Sequence, residues 1–419
     1  MLDRTIPPPF VKSSTFKLIT PRENELTNGI RLFFVPGGSQ DVLKIEMVFQ
    51  AGRWFEGSPA AAYFATHMLS KGTKGKSSFA IASIFDQYGA HLEVSPGLDF
   101  VSVSLYALTK NLKPVLDLLV EVASEPVFPE REYAQLQSLF IQNLNINNEK
   151  TSYVASLTFR KNLFGNTHPY GKEIEEPYVK ALEKTEIEKH FANFFHSPLV
   201  FVAGKIDAET STHILKTLQQ LPTGKPPDPI RHKVDVQPTS QYLERDGSVQ
   251  SSVRMGKRSI LRSHPDYVPV LFVSHVLGGY FGSRLMKNIR EEKGLTYGIS
   301  ASVHGLKYDS YLVIGADVNK QNAHLTFAEI RKELKNLRTA AISTGEMETA
   351  RNHFIGSLQA EITTPFAHAE KIKTITLFDL QKDHYQEMIT TIESITPSDV
   401  ASISEQYLHE DSFFQVAVG

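Results

Sequence analysis

The 419-residue chain is 41% hydrophobic and 21% charged, and its formal net charge is −2. Such a balance is typical of a globular protein, and it offers no electrostatic attraction to nucleic acid or to an anionic membrane surface. The chain contains no cysteine, which excludes disulfides, thiolate nucleophiles and cysteine-ligated metal sites. A single core rarely serves a chain of this length, so two or more domains are expected.

The sequence carries no membrane or export signal. No apolar run of about 18 residues occurs, and the first residues lack a basic patch followed by a long apolar segment. We therefore expect no membrane insertion and a cytoplasmic location, with the periplasm left open.

The chain alternates between strand-like and helix-like periods. In the first half, strands are predicted at residues 29–35 and 42–49 and, as a pair around a Pro-Gly turn, within 92–108. Helices are predicted within 60–73 and at 112–123 and 130–148. The second half repeats this plan, with strands at 298–303 and 311–318 and helices at 323–341 and 345–362. Strand pairs followed by runs of helix predict the α+β class, with mainly antiparallel sheets packed with helices.

Two internal echoes indicate a duplication. The hexapeptide FATHML at 64–69 returns as FVSHVL at 272–277, an offset of 208 residues. The pentapeptide FIQNL at 140–144 returns as FIGSL at 354–358, an offset of 214 residues. Two echoes in the same order at nearly the same offset predict two homologous domains. We place them at 1–220 and 242–419, joined by a proline-rich polar linker at 221–241.

Longer motifs resemble those of a known enzyme family. They are HMLSKGT at 67–73, GAHL at 89–92, NTHPYG at 166–171, GGYFGSRL at 278–285 and IREEKGLTY at 289–297. Over nearly its whole length the chain resembles the pitrilysin-type zinc peptidases, which include insulinase and the mitochondrial processing peptidase, in their short two-domain bacterial form. The resemblance implies a duplicated fold and a zinc site built on the first helix.

The zinc motif of that family, H-x-x-E-H, is degenerate here. Its positions fall on Tyr63, Thr66 and His67, and the family's third ligand, a glutamate, falls near Asn143. A catalytic zinc needs about three protein ligands and a base for its water. We therefore predict no metal in this chain, and we interpret His67 as a histidine packed in a core.

The resemblance also assigns two residues of the second half. In the family, an arginine and a tyrosine there lean over the zinc site and bind the substrate carbonyl; they correspond to Arg290 and Tyr297. Residue types alone suggest a different interpretation, a solvated helix end at Arg290 that is capped by Gly294.

The leading hypothesis is a non-catalytic subunit of a zinc peptidase. Its partner would be a homologous chain with an intact H-x-x-E-H motif, which would hold the zinc while this chain contributes Arg290 and Tyr297. The substrate would be a peptide that adds a strand to a sheet edge. The corresponding edge here is near 92–95, but we expect the partner's edge to bind the scissile peptide.

Two other functions stay open. One is an inert scaffold or binding protein that keeps the peptidase fold. The other is an enzyme with a relocated metal or no metal, although His91, His275 and His353 lack ligand companions at helical spacing. The charged runs at 172–177 and 254–258 are either contact surfaces or solvated faces.

Overall fold

The computed structural model describes Thr5 and residues 15–419, apart from positions 226, 227, 229 and 231. Its strands form two sheets. The first sheet contains β1 (Arg22–Glu25), β2 (Arg31–Pro36), β3 (Val42–Phe49), β4 (His91–Pro96), β5 (Val101–Leu108) and β6 (Leu199–Gly204). The second contains β7 (Ser240–Leu243), β8 (Gln250–Arg258), β9 (Thr296–Gly305), β10 (Ser310–Asn319) and β11 (Phe414–Val418).

The two sheets share one topology. The first runs β1-β2-β6-β3-β5-β4 and the second β7-β11-β8-β10-β9, so the second repeats the first without β1. The pairs β2–β6 and β7–β11 are parallel and the other neighbours are antiparallel. The predicted fold class, a duplicated α+β structure with mainly antiparallel sheets, is confirmed. The division at 221–241 stays a prediction, and part of that segment lies outside the described residues.

Helices cover both sheets. In the first half they are α1 (Ala61–Met68), α2 (Ser78–Gln87), α3 (Leu112–Ser124), α4 (Glu130–Asn148), α5 (Thr151–Phe164), α6 (Glu176–Ala181), α7 (Lys184–Phe194) and α8 (Ala208–Leu218). In the second half they are α9 (Tyr267–Gly278), α10 (Ala323–Thr339), α11 (Thr344–Ala360), α12 (Pro365–Leu377), α13 (His384–Ser394) and α14 (Pro397–Tyr407). Within the described ranges, no helix is both long and apolar enough to cross a membrane.

One helix of each half packs on the sheet of the other half. Helix α5, from the first half, packs on β8 and β11, and α12, from the second half, packs on β2 and β6. Phe159 of α5 lies in a buried cluster with Phe414 and Val416, whereas Ile372 of α12 lies in one with Phe33 and Phe201. Strands β3, β6 and β11 are therefore covered on both faces, which explains why they are buried along nearly their whole length.

Candidate functional site

Helix α1 carries the one histidine that remains of the zinc motif. Tyr63 and His67 are four residues apart, so they share one face of the helix. Their ring centroids are 4.3 Å apart, and the Tyr63 ring also packs at 4.7 Å against Phe140 of α4. Burial, and secondarily Lys71, lowers the pKa of His67, and burial raises the pKa of Tyr63. Aromatic packing thus occupies this face of α1.

The other two zinc-motif positions are unsuited to metal chemistry for different reasons. Thr66 is 0% exposed, and its Oγ1 donates a 2.6 Å hydrogen bond to the Ala62 carbonyl, one turn earlier in α1. Asn143 lies on α4, one turn after Phe140, and its side chain is exposed. Thr66 is therefore committed to its own helix, and Asn143 offers a neutral amide.

A buried carboxyl lies at the N-terminal end of α1. The Glu56 Oε2 atom accepts a hydrogen bond from the Ala62 backbone N–H at 3.4 Å, and its Oε1 atom lies 3.4 Å from Arg53 Nε. Burial raises the pKa of Glu56 to about 7, against the opposing effect of the Arg53 charge. Because this carboxyl is engaged by the helix end and by Arg53, it does not replace the missing base of the zinc motif.

The residues around His67 do not fit a catalytic zinc. Proteins bind Zn²⁺ through the neutral imidazole of histidine, the thiolate of cysteine or the carboxylate of aspartate and glutamate. The phenol of Tyr63, whose pKa is raised, and the amide of Asn143 supply neither a carboxylate nor a second imidazole. In the described part of the chain, no group of three or more His, Cys, Asp or Glu residues is placed to hold a metal ion.

The two residues assigned in the second half lie close together. Arg290 is on a π-helical segment, Met286–Glu292, in which Lys293 N–H bonds the Asn288 carbonyl five residues back. The Arg290 Nε atom donates a 3.0 Å hydrogen bond to the Tyr297 carbonyl. The Arg290 guanidinium carbon lies 4.5 Å from the centre of the Phe281 ring. Arg290 is thus fixed in place by Tyr297 and Phe281.

The aromatic rings beside Arg290 face outward. The side chain of Tyr297 is 95% exposed and that of Phe281 is 62% exposed. Two large aromatic rings are seldom both exposed on a surface that has no binding partner, and clusters of exposed aromatic side chains mark interaction sites. Gly294 adopts the left-handed conformation (φ +61°) expected of a glycine that ends a helix. The helix end inferred from residue types is therefore present, and the two exposed rings lie beside it.

Comparison with known families decides the classification. Residues 38–177 match the family described as Insulinase (Peptidase family M16), and residues 181–354 match the one described as Peptidase M16 inactive domain. The chain belongs to peptidase family M16. The description matched by its second half is that of an inactive domain, and the positions expected for H-x-x-E-H hold Tyr63, Thr66 and His67.

Relatives within family M16 carry different descriptions. A Bacillus subtilis protein named "Uncharacterized zinc protease YmxG" is 19% identical over 355 residues, covering 84% of this chain and 86% of its own length. A Helicobacter pylori protein named "Non-peptidase homolog YmxG" is 23% identical over 296 residues, covering 69% and 68%.

A solved M16 structure has the same fold. The crystal structure described as a peptidase M16 inactive domain from Pseudomonas fluorescens superposes with a TM-score of 0.88 at 21% identity. It covers 95% of this chain and 97% of its own.

One pair of histidines escaped the sequence analysis. His275 of α9, the repeat counterpart of His67, has its Nε2 atom 3.2 Å from Nδ1 of His353 on α11. The Tyr280 ring packs on both at 4.9 Å. Burial, and secondarily His353, lowers the pKa of His275 to about 4. Helical spacing could not show this pair because the two residues lie on different helices; the FIQNL–FIGSL echo, which aligns α4 with α11, was the available signal.

The edge strands lie where the resemblance implied. Strand β4, which contains residues 92–95, is at the edge of the first sheet, and β9 is at the corresponding edge of the second. Tyr297 is the second residue of β9. The Arg290–Tyr297 pair is therefore next to a strand that can accept an added peptide strand.

Proposed function

We propose that this chain is the non-catalytic subunit of a two-chain zinc metallopeptidase. A homologous partner with an intact H-x-x-E-H motif would hold the zinc, and this chain would supply Arg290, Tyr297 and one wall of the chamber that admits peptide. The observation that carries the proposal is the contrast between the two halves. The zinc positions around His67 are filled by packing, whereas the Tyr297 ring beside Arg290 stands free in solvent.

The chemistry of the second-half pair suits this role. In peptide hydrolysis, negative charge develops on the carbonyl oxygen, and a fixed cation with a phenol proton stabilises it. Arg290 is held by Tyr297 and Phe281, so little reorganisation is needed when charge develops. The Tyr297 hydroxyl is free to reach outside this chain, as a contribution to a partner's site requires.

The second candidate is a binding protein or scaffold without a role in catalysis. The name "Non-peptidase homolog", given to the Helicobacter pylori relative, favours it. In that case the exposed rings of Phe281 and Tyr297 would serve as a contact surface only.

The experiment begins with recovery of the tagged chain from its host under mild conditions. Co-purifying chains are identified by mass spectrometry, and zinc content and peptide cleavage are measured on the same material. We expect a partner of similar size with an H-x-x-E-H motif. In that complex, Arg290→Ala should lower kcat by about a hundredfold without changing zinc content.

Lys287→Ala is the matched control. Lys287 lies on the same π-helical segment, is exposed, and also carries a positive charge, so its loss tests for a nonspecific charge effect. We expect its kcat to match the unmodified complex. Peptidase activity with stoichiometric zinc in the isolated chain would contradict the proposal. An active complex that tolerates Arg290→Ala together with Tyr297→Phe would favour the scaffold.

A further inference from the structure

A positively charged cavity lies between α5 and the second sheet. It has a volume of about 470 Å³. Its cations are Arg160 of α5 and Arg254 of β8, and its floor on β9 consists of small or polar residues. These are Gly298, Ser300, Ser302 and His304. It extends along β9 from the residue that follows Tyr297.

A glycine on β10 leaves room for the Arg254 side chain to extend towards the edge strand. Arg254, Gly315 and Ser300 are opposite one another on β8, β10 and β9. A Cβ atom at Gly315 would lie 3.3 Å from both Cδ and Nη1 of Arg254. The Arg254 side chain therefore extends across β10 towards Ser300, because Gly315 has no side chain in its path.

Among the described residues, neither arginine forms a close ion pair with a carboxylate. Arg254 donates to Ser156 Oγ at 3.2 Å, to the Val253 carbonyl at 2.9 Å and to the Ser152 carbonyl at 3.4 Å. These bonds leave part of its five N–H donors unused. Within the described ranges, Arg160 makes no side-chain hydrogen bond, and neither guanidinium has a carboxylate within 4.0 Å.

The remaining polar groups of the cavity do not cancel this charge. The Asp317 carboxylate accepts a 2.6 Å hydrogen bond from Ser252 Oγ, and it is the one acid that lines the cavity. His304 stacks on Tyr311 at 4.8 Å, and burial with the Arg160 charge lowers its pKa, so it is neutral near pH 7. Two cations thus face one acid, and the cavity keeps an excess of one positive charge.

The corresponding positions in the first half carry balanced charges. By the offsets of the duplication, Arg254 corresponds to Glu46 and Ser156 to Glu370. There, Glu46 and Glu370 are each bonded to both Lys44 and Lys373 at 2.6–2.8 Å. Two acids balance two bases around the first sheet, whereas around the second the acids are replaced by an arginine and a serine.

We propose that this cavity binds a carboxylate of an extended peptide that lies along β9. The outer edge of β9 can hydrogen-bond an added strand, and alternate side chains of that strand would face the same side as Ser300 and Ser302. A guanidinium matches a carboxylate in a bidentate geometry, which favours a peptide acid as the occupant. Ser300 is three residues from Tyr297, or about 10 Å along the strand.

That the bound peptide is a substrate rests on the proposed function, because Tyr297 would then lie near the scissile bond. That the cavity holds a peptide carboxylate depends only on Arg160, Arg254 and the β9 edge. Peptide binding by the isolated chain, without partner or zinc, therefore tests the second part alone.

The test uses fluorescent short peptides rich in valine and serine, titrated against the isolated full chain by anisotropy. One contains a central glutamate and an amidated C-terminus, the second has glutamine in its place, and the third has the glutamine with a free C-terminal carboxylate. We expect the glutamate peptide to bind about tenfold more tightly than its glutamine counterpart. Tight binding of the third peptide would assign the site to the terminal carboxylate instead of a side chain.

Arg160→Gln is the decisive variant, and Lys161→Gln is its control. Among the described residues Arg160 makes no side-chain hydrogen bond or ion pair, so its removal should leave the fold intact and abolish the preference for the acidic peptide. Lys161 is the next residue of α5, carries the same charge and lies 3.7 Å from Glu173. Equal binding of all three peptides, no binding of any, or equal effects of the two substitutions would each overturn the proposal.

Discussion

Asn143 is the zinc-site position whose assignment depends most on sequence spacing. The structure places it one turn after Phe140, and Phe140 packs directly on Tyr63 of α1. Residues three apart share a helix face, so a longer acidic side chain at 143 would extend towards His67. Tyr63 and His67 already have the spacing of two helical ligands.

Restoring two ligands tests this register. We expect Tyr63→His combined with Asn143→Glu to bind zinc stoichiometrically, since the imidazole introduced at 63, the imidazole of His67 and the carboxylate introduced at 143 form a three-ligand set. Isothermal titration with zinc gives the affinity. Because Thr66 stays buried and uncharged, the variant should gain metal without gaining hydrolysis.

Tyr63→His with Gln142→Glu is the control for that variant. The control introduces the same glutamate side chain at 142, which lies about 100° around α4 from position 143. We expect its zinc affinity to be weaker by about tenfold or more. Equal or tighter binding in the control would mean that 143 is not the third-ligand position.

At the scale of elements, α9 and β9 are packed with little spare room. A Cβ atom at Gly278, the last residue of α9, would lie 2.6 Å from the Ala301 backbone nitrogen and 2.8 Å from the Ala301 Cβ atom. Glycine at this position therefore allows α9 and β9 to pack closely. This contact fixes β9, and with it Tyr297, against the helix.

Gly278→Ala should therefore lower the free energy of unfolding by about 1–3 kcal/mol, because backbone must move to admit the methyl group. Urea denaturation followed by circular dichroism measures the change. Gly298→Ala is the matched control, since a Cβ atom there meets nothing within 4 Å. We expect its effect to stay within about 0.5 kcal/mol. An equal tolerance of both substitutions would refute the packing role.

Sequence periodicity predicted most of the helices and strands near the candidate site, but it did not predict the π-helical form of one of them. The helix predicted at 130–148 is observed as α4 with the same bounds, and the strand pair within 92–108 is observed as β4 and β5. The π-helical turn that carries Arg290 was not predictable, because an extra residue in a helical turn leaves apolar spacing nearly unchanged over seven residues.

For the whole molecule, the sequence could show the duplication but not the exchange of helices. Local periods carry no information on which sheet a helix will cover, so α5 and α12 gave no sign of crossing to the other half. The same limit hid the environment of the basic run at 254–258. It lies on the inner strand β8, with Arg254 under α5 and Arg258 paired with Asp309.

A ring of four charges joins the halves beneath α12. Lys44 and Glu46 of β3 bond each other at 2.8 Å, and Lys373 of α12 bonds Glu46 at 2.6 Å. Glu370 of α12 closes the ring to both lysines at 2.7 Å. The two acids, despite the opposing effect of burial, raise the pKa of Lys44 above its ordinary value. Glu46 is the most buried acid of the ring, with 5% of its side chain exposed, whereas 46% of Glu370 is exposed.

Glu46→Gln should therefore destabilise the whole molecule by about 2–4 kcal/mol, because it leaves the buried Lys44 and the partly buried Lys373 with one half-exposed acid. Urea unfolding at neutral pH gives the value. Glu46→Gln combined with Lys373→Met removes one charge of each sign, so we expect the double variant to be more stable than Glu46→Gln alone. Strict additivity of the two single changes would show that the ring is not coupled, and each charge would then contribute to stability independently of the others.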